Sequence, residues 1–115
     1  VTAQINLVLN ERNDETINLT LLQPDGITPY DLTSAEVDFY IKPSAASEDT
    51  DIDVIKLSTT GGGVVVTSPP TAGLATVTIP TVDLQTPATR FWRVDVIAGG
   101  QKKTAMFGLL QINDL

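Results

Sequence analysis

Neither cysteine nor histidine occurs in this chain of 115 residues. Without cysteine there is no disulfide framework and no thiolate chemistry. Without histidine the usual neutral-pH acid–base group and the commonest metal ligand are missing, and a Ser-His-Asp triad is excluded. Basic residues are scarce: 7 Lys and Arg stand against 14 Asp and Glu, for a net charge of −7. Duplex binding needs clustered Lys and Arg to neutralise phosphates, so no nucleic-acid partner is expected. No apolar run approaches the roughly 20 residues of a membrane-spanning helix, so no membrane partner is expected either. No signal-peptide pattern opens the sequence.

What remains is a chain that is 42% apolar, too much for a disordered segment. Its length suits a single domain over residues 1–115 with one core. The charge is lopsided: residues 1–60 hold 11 acids and 3 bases, and residues 61–115 hold 3 acids and 4 bases. Such asymmetry can steer a head-to-tail contact between copies, or simply mark acidic loops early in the chain.

Period-2 alternation recurs along the sequence. Ile5, Leu7 and Leu9 share one face of a first strand, and the polar run Glu11–Glu15 follows it. Ile17, Leu19 and Leu21 alternate with Thr and Asn. Pro24-Asp25-Gly26 makes a turn, because Pro sets φ and Gly accepts φ > 0. Ala35, Val37, Phe39 and Ile41 alternate with Glu36, Asp38, Tyr40 and Lys42, which predicts a strand with one buried and one wet face. A long polar loop covers residues 43–53. Short strands over 54–57 and 64–66 flank the turn Ser58–Gly63. Ala75, Val77 and Ile79 form a core face that Pro80 ends, and one helical turn is expected at Thr81–Leu84. Phe91–Ile97 and Lys102–Asn113 read as a hairpin through Gly99-Gly100, with Trp92, Val94 and Val96 facing the core and Gly108 marking a bulge or a close approach. Nowhere does a 3.6-residue period persist for ten residues. Seven to nine strands with turns at this spacing predict an all-β fold, an antiparallel Ig-like β-sandwich.

Few residues carry chemistry. Asp49, Asp51 and Asp53 alternate in an acidic loop that can offer oxygens to calcium, but the turn-making Gly and the final bidentate Glu of a calcium loop are absent. Gly61-Gly62-Gly63 lacks the Lys-Ser/Thr of a phosphate-binding loop and opens no helix, so it reads as a β-turn. Asp31 with Asp38, or Glu36 with Asp38, offers a carboxylate pair for glycoside hydrolysis. Glu36 and Asp38 lie roughly 7 Å apart on one strand face. Nothing adjacent in sequence raises either pKa, so both read as surface acids. No catalytic residue, metal or cofactor follows. Tyr40 on the wet face and Phe91 opposite Trp92 are the candidate aromatic anchors for a protein partner. Residues 1–10 are an edge strand or an assembly arm, with Ile5, Leu7 and Leu9 able to pair with a neighbouring copy by strand addition.

Several motifs together resemble a known family. They are Pro29-Tyr30-Asp31-Leu32-Thr33-Ser34-Ala35, then Val37–Lys42, Leu57-Ser58-Thr59-Thr60-Gly61-Gly62, Gly73–Pro80, Phe91–Asp95 before a Gly-rich hairpin, and Gly108–Ile112. In this order they resemble an Ig-like domain of tailed-phage structural proteins. The N-terminal domain of baseplate upper proteins of phages of Gram-positive hosts, and small tail or head-associated proteins, are similar. The resemblance spans about Thr16–Ile112. It implies a non-enzymatic virion component, a tail or baseplate adaptor or a head decoration protein, that self-associates and docks to other phage structural proteins. It implies assembly in the host cytoplasm and carries over no catalytic residue. The alternative reading is a carbohydrate-binding or adhesin-type β-sandwich, with calcium held by the 48–53 loop.

Overall fold

Alternating β-branched residues between Gly, Pro and Asp turns leave the chain little choice but strands. The computed structural model describes residues 3–4, 6–10, 14–23, 25–43, 54–80 and 88–113. These hold nine strands: β1 (Ala3–Gln4), β2 (Leu7–Asn10), β3 (Glu15–Thr20), β4 (Glu36–Lys42), β5 (Ile55–Ser58), β6 (Val64–Val66), β7 (Leu74–Ile79), β8 (Ala88–Ala98) and β9 (Gln101–Asn113). A 3₁₀ turn, Pro70–Ala72, precedes β7. The large sheet runs β1-β9-β8-β4-β5, with β2 also on β9. The small sheet runs β3-β7-β6. The fold is a β-sandwich, as the spacing of strands and turns predicts. Its strand order is Ig-like: β5, β4, β8 and β9 stand where strands C′, C, F and G stand, and β6, β7 and β3 where D, E and B stand.

One edge departs from the antiparallel expectation. β1 and β2 lie parallel to β9 in a single register, Ala3 beside Met106, Leu7 beside Leu110 and Leu9 beside Ile112. The two keep the same offset against β9. Between them the Asn6 Oδ1 accepts the Leu109 backbone N–H at 3.2 Å. Alternation in a sequence says which residues share a face, not which strand pairs with which or in what direction.

The core lies between the sheets. Val37, Phe39 and Ile41 of β4, Trp92, Val94 and Val96 of β8, and Leu110 and Ile112 of β9 meet Leu19, Leu21, Val64, Ala75, Val77 and Ile79 from the small-sheet side. Phe39 and Trp92 stack with ring centroids 5.7 Å apart, worth about 0.5–1.5 kcal/mol beyond their buried area.

The β8–β9 hairpin turns through Gly99 (φ 59°) and Gly100 (φ 76°), the positive-φ pair that matches strand twist. Its irregularity is not at Gly108. Val94 pairs with Met106 but Asp95 pairs with Thr104, so Ala105 is the extra residue. The physical reason is burial: Ala105 and Met106 are consecutive and both belong to the core, which a regular strand cannot arrange. Gly108 stands opposite Trp92 instead.

The expected wet face of β4 is also corrected. Asp38, Tyr40 and Lys42 are buried together with Val37, Phe39 and Ile41. Residues from β5, β8 and β9 cover that side. The expected helical turn at Thr81–Leu84 lies outside the described residues.

Candidate functional site

On the outer face of the large sheet, register alone assembles a charged cluster. Asp38 pairs with Ser58 and Asp95, and Tyr40 pairs with Lys56 and Arg93. Across β9, Asp95 pairs with Thr104 and Ile97 with Lys102. Every second residue of β4, β5, β8 and the start of β9 therefore points to one patch.

Asp95 is the anchor. It is fully buried, and its Oδ2 meets the Arg93 guanidinium at 2.9 Å and Lys102 Nζ at 3.3 Å. Arg93 Nε donates to the same oxygen at 3.1 Å, and the Thr104 hydroxyl donates to Oδ1 at 2.8 Å. Tyr40 is the second centre. The Arg93 guanidinium sits 4.8 Å from its ring centroid, and Lys56 and Lys102 each sit 5.8 Å away. Three cations crowd around one ring, with the Asp95 and Asp38 carboxyls among them to offset their mutual repulsion.

Asp38 is less well served. Lys56 is 3.8 Å from its Oδ2, and the Tyr40 hydroxyl makes a long 3.5 Å contact to the same atom. Its Oδ1 finds no donor among the described residues. Burial pushes the Asp38 carboxyl above the ordinary carboxylate range, and the neighbouring Glu36 adds to this. Glu36 moves the other way, lowered first by the Thr60 hydroxyl and then by Asp38. Asp38 therefore binds a proton more readily than Glu36 does. Both were expected as ordinary surface acids; local sequence could not show that Asp38 would be walled in. Neither lines any of the three clefts described next, so a substrate has no route to the pair through them.

Beside the cluster the face turns apolar. Val8 is 63% exposed, Phe107 39% and Leu109 38%. Val8 pairs with Gln111 and Leu109 with Phe91, so all of these point outward. Lys42, Phe91, Trp92, Arg93, Thr104, Phe107 and Gly108 line a cleft of about 210 Å³ there.

At the hairpin end of the sandwich, Gln23, Tyr30, Asp31, Val96, Ala98, Gln101 and Lys103 line a more polar cleft of about 260 Å³. Its walls are tight turns. Asp25 accepts the N–H groups of Ile27 and Thr28 at 2.8 Å each, and Gly26 N–H bonds Gln23 O. Asp31 is lowered below its usual range by Thr33, through the hydroxyl and the backbone N–H, so it stays an acceptor. The third cleft, about 500 Å³, borders Gly61–Gly63. There the Gly61 N–H points to Ser58 Oγ at 2.7 Å and the Gly62 N–H to Ser58 O at 2.8 Å. These glycines close a turn and do not cradle an anion.

The residues expected to meet a partner are dispersed. Tyr40 is 4% exposed and is not a free anchor. Leu9 is 6% exposed and Leu7 packs against the core, so these side chains of the first strand are seated in a sandwich and not held out in solvent. Ile5 lies outside the described residues, as do Asp49, Asp51 and Asp53. Phe91 is half-buried at the apolar cleft. Among the described residues no group of three or more acids is placed to hold a metal ion. Sequence reasoning missed Arg93, Lys102, Thr104 and Lys56. Arg93-x-Asp95 and Lys102-x-Thr104, each spaced by two on predicted strands, were the available signal. No protein-family model matches the chain, and no curated protein matches it.

Proposed function

We propose that this chain is a non-enzymatic structural module of a tailed-phage virion, a tail or baseplate adaptor or a head decoration protein. It binds copies of itself and other virion proteins through the outer face of the large sheet. The observation that carries this is the row Val8, Leu109 and Phe107, exposed beside Phe91 on a face stiffened by the Asp95 cluster. An apolar, aromatic centre next to Arg and a charged rim is the anatomy of a protein interface. The sequence resemblance to phage Ig-like domains supports the same reading. Replacing Phe107 and Leu109 together by Glu is expected to abolish self-association in sedimentation while the far-UV spectrum is kept. Unchanged association in that variant would refute the use of this face.

The cleft at the hairpin end favours a second reading, a carbohydrate-binding or adhesin-type module. The Tyr30 ring, the amides of Gln23 and Gln101 and the ionised Asp31 are groups that stack on and hydrogen-bond to sugars. Calorimetry against a glycan panel, with and without calcium, tests it. Heat that Tyr30→Ala removes supports a sugar site, and silence throughout leaves the assembly reading.

A further inference from the structure

We infer that the first strand, residues 3–10, is exchanged between copies of this chain, each copy's β1–β2 lying along the β9 of another. The inference rests on the self-association proposed above and names a contact that builds it. Among the described residues β1–β2 is hydrogen-bonded to one strand only, β9. That pairing is parallel, the slightly weaker kind per residue. The connection to β3, in the other sheet, is Glu11-Arg12-Asn13-Asp14, with no apolar residue to tie it to a core. Such a strand can leave the sheet by breaking its pairing with β9 alone.

Its side chains nevertheless belong to the core. Leu9 is buried and Leu7 packs against the same cluster. Lifting the strand opens a slot along β9, shaped for Leu7 and Leu9 and edged by backbone groups that need partners. The pairs Leu7–Leu110 and Leu9–Ile112, with Asn6 bonding the Leu109 N–H, fit this slot to one sequence. The occupant that meets all three requirements is the same segment of a second copy. Exchange replaces each contact by an identical one, leaving only the connection and the concentration of copies to decide the balance. Reciprocal exchange closes a dimer, and one-way exchange extends a row of copies.

The test uses the absence of native cysteine. Val8 and Gln111 are paired and both exposed, so Val8→Cys and Gln111→Cys place two thiols side by side without touching the core. The two single variants are mixed at high concentration, incubated and oxidised. Exchange gives a disulfide-linked heterodimer several-fold above the yield of either variant alone, and dilution before incubation removes it. No heterodimer above those controls overturns the inference, as does a double variant that closes only an intramolecular bond at every concentration. Sedimentation of the unaltered chain separates this failure from failure of the underlying reading. Copies that associate without forming the heterodimer overturn exchange alone, whereas a chain monomeric at every concentration overturns both. Asn10→Cys with Asn113→Cys repeats the trap at a second pair should the first disturb folding.

Discussion

Asp38 stands directly opposite Asp95 across β4 and β8, and both carboxyls are buried. Asp95 is compensated by Arg93, Lys102 and Thr104. Asp38 has a distant Lys56, a long contact to Tyr40 and Glu36 beside it. The folded Asp38 therefore holds its proton to higher pH than the unfolded chain does. Its contribution to stability is complete below the unfolded value near 3.8 and is lost as pH rises through the folded value. Asp38→Asn, which removes the charge and keeps the shape, is expected to stabilise the fold at pH 7 by about 1 kcal/mol. Denaturant titrations should show that gain shrinking toward acid, and destabilisation at pH 7 would mean that the ionised form is the favourable one.

Asp25 works in the opposite sense. The Thr28 hydroxyl and the Thr28 and Ile27 N–H groups hold its carboxyl down at about 2. Its stabilisation is present above the ordinary 3.8 and fades as pH falls toward that lowered value. Together with Asp38, this places the best stability above 3.8 and below the raised Asp38 value. Melting temperatures measured from pH 2 to pH 8 should pass through a maximum there.

Asp95 is the acceptor that Arg93, Lys102 and Thr104 share. Asp95→Ala removes the buried acceptor that all three share and should cost about 1.5–3 kcal/mol, the range for hydrogen bonds to a charged group. Lys102→Ala removes a half-exposed partner and should cost under about 1 kcal/mol. Comparable losses in the two variants, by chemical denaturation, would show that Asp95 is not the anchor.

The contrast between these two acids also shows how far the sequence could be read. Alternation located Val37, Phe39, Ile41, Trp92, Val94 and Val96 in the core because a period of two is a local property. It could not show that Asp38, Tyr40 and Lys42 would be covered, since the cover comes from β5, β8 and β9, far away in sequence. The β9 bulge escaped for a related reason. Gly108 carried the familiar signal, but the need to bury Ala105 and Met106 side by side decided the position. The parallel course of the first strand was equally hidden, because pairing partner and direction are tertiary facts.

Two glycines with similar φ should respond differently to alanine. At Gly73, φ is 70° and a Cβ would fall 2.7 Å from the Leu21 carbonyl oxygen, with Pro29 and the Tyr30 N–H also close. At Gly100, φ is 76° and the space is open. Gly100→Ala should cost about 1–2 kcal/mol, the left-handed conformation alone. Gly73→Ala must also move backbone and should cost at least about 1 kcal/mol more. Equal shifts in urea midpoint would mean that the Leu21–Gly73 approach is looser than it stands here.

Deleting residues 1–10 separates an arm from a structural strand. A free arm can be cut without harm to the domain. Here Leu7 and Leu9 leave the core and β9 loses its outer partner from Met106 to Asn113. Fully burying a Leu side chain is worth about 1.5–3 kcal/mol, so Leu9, with the part-buried Leu7, supplies a large share of the stability of a small domain. The truncated chain is expected to melt far below the full one or to populate unfolded molecules at room temperature. A synthetic peptide of residues 1–10 added in excess should recover part of the loss, because the slot along β9 accepts that sequence from outside. Circular dichroism melts with and without the peptide measure both effects. A truncated chain as stable as the original would show that the first strand is not part of the sandwich it lines.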